Sequence, residues 1–461
     1  MATAQQPRSL LSQLRAQLAG AVIGPGDPGY EAGRRVFLPS VDRRPAAIVQ
    51  PADAGDVAYA VALARDAGLE LAVRGGGHSN AGYGTTEGGI VLDLAGLRGL
   101  VIDAGGRVAH AAGGLTSGEV TGAAAPHGLA VGFGDTPSVG IGGLTLGGGM
   151  GYLVRKHGLT IDHLLGAEVV TADGRVLEVD AEHDPDLFWA IRGGGGNFGV
   201  VTRFDYRLHP VDVVTGGMLA LPATPTTVAG LVAEAEAAPE ELSLIANVLP
   251  APPLPFVPPE LVGRPLVLAV LVHAGRLEDG ERAVAPFRAL AHPVADFVRP
   301  MPFPEVFPAE AQAAPPRSVV RTFFSDVLDE EAAGELLDRL QASTAQLSAA
   351  QIRVLGGAVG RVSSEATAYA HRQRRLMVNV AAVYASSDED HIHQEWVEDT
   401  AAALRRGEAA AYANFLGDEG AERVRAAYPG STWDRLARVK RRYDPENVFH
   451  LNQNVPPAEL R

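Results

Sequence analysis

Hydrophobic and polar positions change their spacing along this chain, and the changes mark separate regions. Over residues 47–210, short apolar runs alternate with helical patterns and glycine clusters. After Pro210 the glycine clusters stop, and longer runs with alternating apolar positions follow, such as Leu242–Leu249, Leu266–Val272 and Leu376–Tyr384. Alternation of this kind indicates strands with one buried face. The pattern predicts an α+β protein.

Local signals at the ends of elements refine this picture. Asp53 precedes a helical pattern and is a good N-cap residue. Thr116 and Glu119 have the spacing of a capping box at the start of another helix. Asp173-Gly174 separates two alternating runs, which is typical of a hairpin turn.

The same changes of pattern predict the domain organisation. We expect a first domain over residues 1–210 and a second over 211–410, in which helices cover an antiparallel sheet. The last segment, 411–461, changes composition again and is treated as a third region.

Three glycine clusters in the first region indicate a ligand-binding site. They occupy Arg74–Ser79, Gly140–Gly151 and Arg192–Gly199. Consecutive glycines let the backbone turn freely and approach a ligand closely, and successive N–H groups in such turns bind anions such as a pyrophosphate. We expect three glycine loops that hold one large, extended cofactor.

One apparent dinucleotide motif is misleading. Gly194-x-Gly196-x-x-Gly199 fits the Gly-x-Gly-x-x-Gly pattern, which requires a strand before it and a helix after it. Here the helical pattern of Leu187–Ile191 precedes the glycines, and a strand pattern begins at Val200. The reversed order argues against a Rossmann domain.

Composition narrows the class of protein further. The chain has 461 residues, 46% of them hydrophobic and 20% charged, as in a globular protein of two domains. A net charge of −15 disfavours nucleic acid and anionic membranes as partners. The absence of cysteine excludes disulfides and thiolate chemistry, and we expect no metal site.

Nothing in the sequence predicts a membrane segment. No apolar run reaches the roughly 18 residues that a spanning helix requires. Polar residues interrupt the N-terminal 20 residues, which therefore suggest an amphipathic helix and not a secretion signal. A cytoplasmic location is the expectation.

Taken together, these motifs resemble the berberine bridge enzyme-like branch of the vanillyl-alcohol oxidase flavoprotein family. The resemblance covers residues 40–210 and the C-terminal segment. It implies a PCMH-type FAD-binding domain of two subdomains, followed by a substrate domain and by a C-terminal segment, 411–461, that completes the FAD-binding domain. The motifs are Arg74-Gly-Gly-Gly-His-Ser79, Pro137-Ser-Val-Gly-Ile-Gly-Gly143, Gly147-Gly-Gly-Met-Gly151, Arg192-Gly-Gly-Gly-Gly-Asn-Phe-Gly199 and Lys440-x-x-Tyr-Asp-Pro-x-Asn-Val-Phe-x-x-Asn-Gln-Asn454.

The resemblance implies FAD as the cofactor and assigns a set of contacts to it. We expect Asn452 and Asn454 to bind the edge of the flavin ring, since an amide side chain both donates and accepts. The full set is Arg74, Gly75, Gly76, Gly77, His78, Ser79, Gly82, Pro137, Ser138, Val139, Gly142, Gly143, Gly147, Gly148, Gly149, Gly151, Tyr152, Asn197, Gly199, Val200, Asn452 and Asn454. Tyr152 is equally compatible with a place in the core.

In the family, the histidine of the first motif is bonded to the 8α carbon of the flavin. His78 takes that position, although a histidine in a loop is otherwise most often a partner of backbone groups. Many relatives add a bond from a cysteine, where this chain has Thr136, so we expect a single covalent link. A small residue at Val139 implies access of O2 to the ring; the alternative is simple packing.

Catalytic candidates are fewer. Relatives often carry Tyr-x-Asn-Tyr near the C-terminus, with the second tyrosine as base, but here the sequence is Tyr412-Ala-Asn414-Phe415. Phenylalanine has no oxygen to accept a proton. We therefore name Tyr412 and Asn414, together with Tyr369 and His371, as candidates near the ring. The alternative for Tyr412 is structural packing, and the alternative for Tyr369 and His371 is a surface loop.

The sequence thus predicts an FAD-linked oxidase with a small-molecule substrate and O2 as partners. The substrate would be an alcohol, an amine or a secondary metabolite that gives a hydride to flavin N5, and the products would include hydrogen peroxide. Two alternatives are a biosynthetic flavoenzyme that cyclises or oxygenates its substrate and a non-catalytic flavin-binding protein.

Overall fold

The computed structural model describes residues 5–307 and 317–459. Within these residues the strands form sheets of four, five, two and eight strands. Helices pack on the sheets, which confirms the predicted α+β class. No helix in the described ranges has the length and hydropathy needed to cross a bilayer.

The first part of the chain forms the four-stranded sheet, in the order β1-β2-β4-β3. Strands β2, β4 and β3 are parallel to one another, and the edge strand β1 is antiparallel to β2. Asp53 accepts a hydrogen bond from the N–H of Asp56 at 3.0 Å and caps α3, as predicted. The elements are α1 (Gln5–Gln17), β1 (Ala21–Ile23), α2 (Tyr30–Gly33), β2 (Ala47–Gln50), α3 (Ala54–Asp66), β3 (Leu71–Arg74) and β4 (Ile90–Asp93).

An antiparallel five-stranded sheet follows, in the order β5-β6-β10-β8-β9. The capping box of Thr116 and Glu119 and the hairpin turn at Asp173-Gly174 both form as predicted. The elements are β5 (Leu100–Asp103), β6 (Val108–Ala112), α4 (Ser117–Ala124), β7 (Leu129–Ala130), α5 (Ile141–Gly147), α6 (Val154–His157), β8 (Leu164–Val170), β9 (Val176–Asp180), α7 (Pro185–Ile191) and β10 (Val200–Arg207).

The second glycine cluster is not a loop throughout, so that prediction was wrong for its first half. Residues Ile141–Gly147 form α5. Ile141 and Leu146 are buried, and tertiary packing of these side chains outweighs the low helix propensity of the glycines between them. The loop begins after α5, where Gly148 and Gly149 have φ values of 142° and 79°. Only glycine adopts such angles without strain.

The eight-stranded sheet is antiparallel, in the order β15-β12-β14-β13-β18-β19-β17, with β16 paired to β12. Helices α8, α10 and α12 contribute to the core on one face of it. The elements are β11 (His209–Pro210), β12 (Val213–Pro222), α8 (Pro225–Ala237), β13 (Leu242–Pro250), β14 (Pro265–His273), α9 (Leu277–Arg288), β15 (Ala295–Asp296), β16 (Arg299–Pro302), β17 (Arg317–Ser325), α10 (Glu330–Ala342), β18 (Leu347–Val354), α11 (Ala358–Arg361), β19 (Leu376–Tyr384) and α12 (Asp390–Leu404).

The C-terminal segment returns to the first part of the chain. It contains α13 (Ala421–Ala427) and α14 (Ser431–Tyr443), whose apolar residues join the core beneath α7 and β10. At the end of α14, the buried Lys440 donates to the carbonyl oxygens of Asn197 and Phe449, each at 2.8 Å, and to Asp444 at 2.6 Å. This lysine therefore fixes the tail beside the third glycine cluster.

Candidate active site

A cavity of about 440 Å³ lies where the glycine clusters, the C-terminal segment and β18 meet. Most of its wall is apolar side chain and glycine backbone, which is typical of a cofactor site. The predicted residues that line it are Arg74, Gly75, Gly76, Gly77, His78, Ser79, Val139, Gly142, Gly143, Gly149, Gly199, Val200, Tyr412, Asn414 and Asn452.

The remaining predicted residues lie outside the lining. Several of them support the lining from behind. They are Gly82, Pro137, Ser138, Gly147, Gly148, Gly151, Tyr152, Asn197, Tyr369, His371 and Asn454.

The first glycine turn presents His78 to the cavity. A methyl group on Gly76 would collide with the backbone of Gly140, so two glycine segments touch here. The imidazole stacks on Phe37 with ring centroids 4.4 Å apart, and its Nε2 lies 3.1 Å from the hydroxyl of Ser138. Ser138 thus contacts the ring of His78 and does not line the cavity itself.

The charge of Arg74 is neutralised by partners inside the protein. Its guanidinium forms a buried ion pair with Asp93 at 2.9 Å and donates to the carbonyl oxygens of Gly33 and Arg35. The anion-binding capacity of the turn therefore rests on its backbone N–H groups.

The third glycine cluster is joined to the tail by amide side chains. Asn197 donates to the carbonyl oxygen of Gly194 at 2.8 Å and accepts from the N–H of Val455 at 2.9 Å, so its role is to connect the two segments. Asn452 donates to the carbonyl oxygen of Gly196 at 3.2 Å. Its Oδ1 is buried and has no partner within the described residues.

Tyr412 and Asn414 form one hydrogen-bonded unit at the cavity wall. The Tyr412 hydroxyl accepts from the N–H of Gly149 at 2.8 Å and from Nδ2 of Asn414 at 3.0 Å. Burial raises the pKa of Tyr412, despite these two donors. The phenol therefore stays protonated at neutral pH and is a poor base.

Tyr369 and His371 were expected near the ring, but they lie behind the lining. The His371 ring hydrogen-bonds to the carbonyl oxygen of Ala426 at 3.0 Å, and burial lowers its pKa to about 4. Burial also raises the pKa of Tyr369. Both are core side chains, because the segment before β19 folds inward.

Tyr152 also takes the core alternative. It is buried against Phe307 with ring centroids 5.6 Å apart, and burial raises the pKa of its phenol.

The sequence analysis missed a polar cluster beside the cavity. Arg353 on β18 donates to Asp135 at 2.7 Å and to the carbonyl oxygen of Met150 at 2.8 Å. Its guanidinium lies 5.2 Å from the centre of the Phe415 ring. Gln351 on the same strand accepts from Arg353 at 2.7 Å.

A signal for this cluster is present in the sequence. In β18, Gln351 and Arg353 alternate with Ile352, which is fully buried in the core of the eight-stranded sheet. Polar residues at alternate positions of a strand lie on its other face. Two further lining residues, Asn80 and Tyr428, had no such pattern.

Comparison with known proteins identifies the family. Residues 45–180 match the model of an FAD binding domain, and residues 411–456 match the model named Berberine and berberine like. The (R)-6-hydroxynicotine oxidase of Paenarthrobacter nicotinovorans is 33% identical over 453 residues, which cover 95% of this chain and 97% of that protein. The chain belongs to the berberine bridge enzyme-like family of FAD-linked oxidoreductases.

Solved structures of this family have the same PCMH-type fold. The crystal structure of 6-hydroxy-D-nicotine oxidase from Arthrobacter nicotinovorans matches with a TM-score of 0.86 and 29% identity, over 96% of this chain and 99% of that one. A structure of glucooligosaccharide oxidase from Acremonium strictum, described as carrying 6-S-cysteinyl, 8α-N1-histidyl FAD, matches with a TM-score of 0.84 and 25% identity, over 98% and 100%.

The residues of the cavity fit FAD. The buried Oδ1 of Asn452 and the buried hydroxyl of Tyr428 have no partner in the described part of the chain. An unpaired buried acceptor is costly, and the N3–H of a flavin is a suitable donor for it. Gly143 and Gly196 leave open space where a side chain would otherwise stand. The cavity of this protein is thus suited to a flat ring with a polar edge.

Proposed function

We propose that this protein is an FAD-dependent oxidase. It takes a hydride from a C–H bond of a small organic substrate, and its electrons pass to O2 to give hydrogen peroxide. The observation that carries the proposal is a single cavity that brings His78 and the glycine turns together with Asp135, Arg353 and Tyr412. The names of the oxidases it resembles support the same reaction class.

We propose that FAD is attached through His78 alone. The ring of His78 lines the cavity, and Ser138 and Phe37 orient it. Thr136 lines the cavity where a second, cysteinyl bond would begin, and a hydroxyl has no thiolate to offer. Attachment at one point leaves the rest of the ring to be held by packing and hydrogen bonds.

The chain's own residues bind and orient the groups that react. Asn452 and Tyr428, whose buried polar atoms are unpaired within the described residues, would hold the polar edge of the ring, and the backbone N–H groups of the glycine turns would bind the phosphates. FAD, when bound, supplies the acceptor for the hydride. Val139 packs partly against the core and also lines the cavity, which supports a small opening for O2.

The substrate is proposed to be a small alcohol or amine. The relative at 33% identity is named for a hydroxylated nicotine, and the wall around Phe415 and Tyr412 is aromatic. Aromatic walls bind flat, apolar substrates by stacking and burial.

Attachment is tested first. We expect purified protein to be yellow and to keep its flavin after acid precipitation, whereas His78→Ala releases the flavin on denaturation. His127→Ala, which changes an exposed histidine, serves as the matched control. Release of the flavin from the unsubstituted protein would contradict the proposed link.

The reaction is tested with a panel read out as peroxide. The panel contains (R)-6-hydroxynicotine, benzylic alcohols, benzylic amines and a glucooligosaccharide. We expect peroxide from an alcohol or an amine and a product lighter by two hydrogens. Added oxygen or a new ring in the product would instead indicate an oxygenating or cyclising enzyme, and absence of flavin reduction by every member would argue against the oxidase.

A further inference from the structure

The cavity lacks the proton acceptors that the sequence pointed to. Phe415 has no acceptor atom, and the Tyr412 hydroxyl already receives two hydrogen bonds. His371 lies behind the wall, and His78 is assigned to the cofactor. Removing a hydride from an alcohol carbon also requires removal of the hydroxyl proton, so some group must take it.

Asp135 is the one carboxylate among the described residues that line the cavity. Its side chain is 19% exposed, while that of Arg353 is 4% exposed. Oδ2 of Asp135 accepts hydrogen bonds from the guanidinium of Arg353 at 2.7 Å and from the side-chain amide of Gln351 at 3.3 Å. Oδ1 has only a long contact of 3.4 Å with the hydroxyl of Thr136. One oxygen is thus anchored and the other is left with acceptor capacity.

The anchor is itself held on several sides. Arg353 also donates to the carbonyl oxygen of Met150 and to Gln351, and it lies over the Phe415 ring. Phe415, which cannot serve as a base, therefore helps to keep the arginine in place. A guanidinium bound on so many sides gives the carboxylate one fixed orientation.

We propose that Asp135 is the catalytic base, and that the site takes a substrate with a neutral hydroxyl or amino group. Asp135 Oδ1 receives the O–H or N–H proton as the adjacent carbon loses its hydride to the oxidised flavin. The C–O or C–N bond becomes double, and the proton leaves Asp135 for solvent after product release. Because Arg353 balances the charge of Asp135, the pair selects a neutral donor and not a free cation. This inference rests on the proposed function.

The first test is a binding measurement that does not depend on turnover. Its probe is phenol, and its control is anisole, which has the same ring but no hydroxyl donor. Binding to the flavin-loaded enzyme is followed by the change in flavin absorption. We expect Asp135→Asn to weaken phenol binding about tenfold, since a charge-assisted hydrogen bond becomes a neutral one, and to leave anisole binding unchanged. Equal phenol affinity in the two proteins, or no phenol binding to the unsubstituted enzyme, overturns the proposal.

The kinetic test uses the panel member that reduces the flavin. In anaerobic stopped-flow experiments we expect Asp135→Asn to slow flavin reduction about 100-fold or more. Reoxidation by O2 should be unchanged. Asp135→Glu should restore part of the rate, and Asp338→Asn, on the exposed face of α10, should have no effect.

The outcomes separate the two levels of inference. If no panel member reduces the flavin, the oxidase proposal fails, and the phenol titration alone decides whether Asp135 receives a hydroxyl donor. If the flavin is reduced at the same rate in Asp135→Asn, the oxidase proposal stands and Asp135 is not the base. Covalent flavin content and thermal unfolding of each variant establish that the site has formed.

Discussion

At the scale of single residues, His78 shows how a neighbour outside the cavity shapes the site. The hydroxyl of Ser138 lies 3.1 Å from Nε2 of the imidazole. A hydrogen bond to one ring nitrogen fixes the tautomer at the other. Ser138 is therefore a positioning residue for attachment.

We expect Ser138→Ala to lower the covalently bound fraction of the flavin severalfold, because the imidazole loses the bond that fixes its tautomer. The fraction is measured by flavin fluorescence of the denatured polypeptide. Ser138→Thr retains the hydroxyl and should restore attachment. Full attachment in the alanine variant would show that this hydrogen bond is not needed to orient the ring.

The positions of lining residues were predictable only where a motif specified the backbone. The glycine turns and His78 could be located from their sequence, because close backbone approach requires glycine. Tyr369 and His371 were misplaced because polarity along the chain does not reveal which way a segment folds. Asp135 was missed because its partner Arg353 lies 218 positions away in the sequence.

At the scale of elements, the end of α14 joins the tail to the third glycine cluster. Lys440 and Asp444 are both fully buried, and burial lowers the pKa of the lysine. Removing one partner of a buried pair leaves an uncompensated charge.

We expect Lys440→Ala to reduce the free energy of unfolding by about 3–5 kcal/mol, since Asp444 then lacks its counter-charge. Urea denaturation measures the loss. Arg438→Met, on the exposed side of the same helix, should change little. Combining the lysine change with Asp444→Asn should recover part of the stability; no recovery would mean that the charge of Asp444 is not the cause.

Strands and helices were more predictable than the glycine-rich elements. Strand β19 has the bounds that alternation predicted, since one buried face specifies both its length and its register. Helix α5 was missed because its glycines are poor helix formers, and only contacts with distant residues stabilise it.

At the scale of the whole molecule, three histidines meet where the chain passes from β10 to the eight-stranded sheet. Nε2 of His209 lies 2.8 Å from Nδ1 of His163, and the His209 ring stacks on the His157 ring with centroids 4.2 Å apart. Burial is the main cause that lowers the pKa of His157 and His163 to about 3, and Lys156 and Arg207 act in the same direction. All three rings are neutral at pH 7.

We expect stability to fall as the pH drops from 6.5 towards 4. The unfolded chain binds protons at the ordinary histidine pKa near 6.5, while the folded histidines do not, so acid favours unfolding. Each histidine contributes up to about 1.4 kcal/mol per pH unit. Urea midpoints across this range measure the slope, and His163→Asn should flatten it. An unchanged slope would assign the acid sensitivity to other groups.

The contribution of the tail to the cavity also sets an order of events during folding. The walls are drawn from positions as far apart as Phe37 and Gln453. The last wall closes only when the C-terminal segment has folded back onto the glycine clusters. We therefore expect cofactor loading to follow this docking step, and a chain truncated before residue 411 to stay colourless.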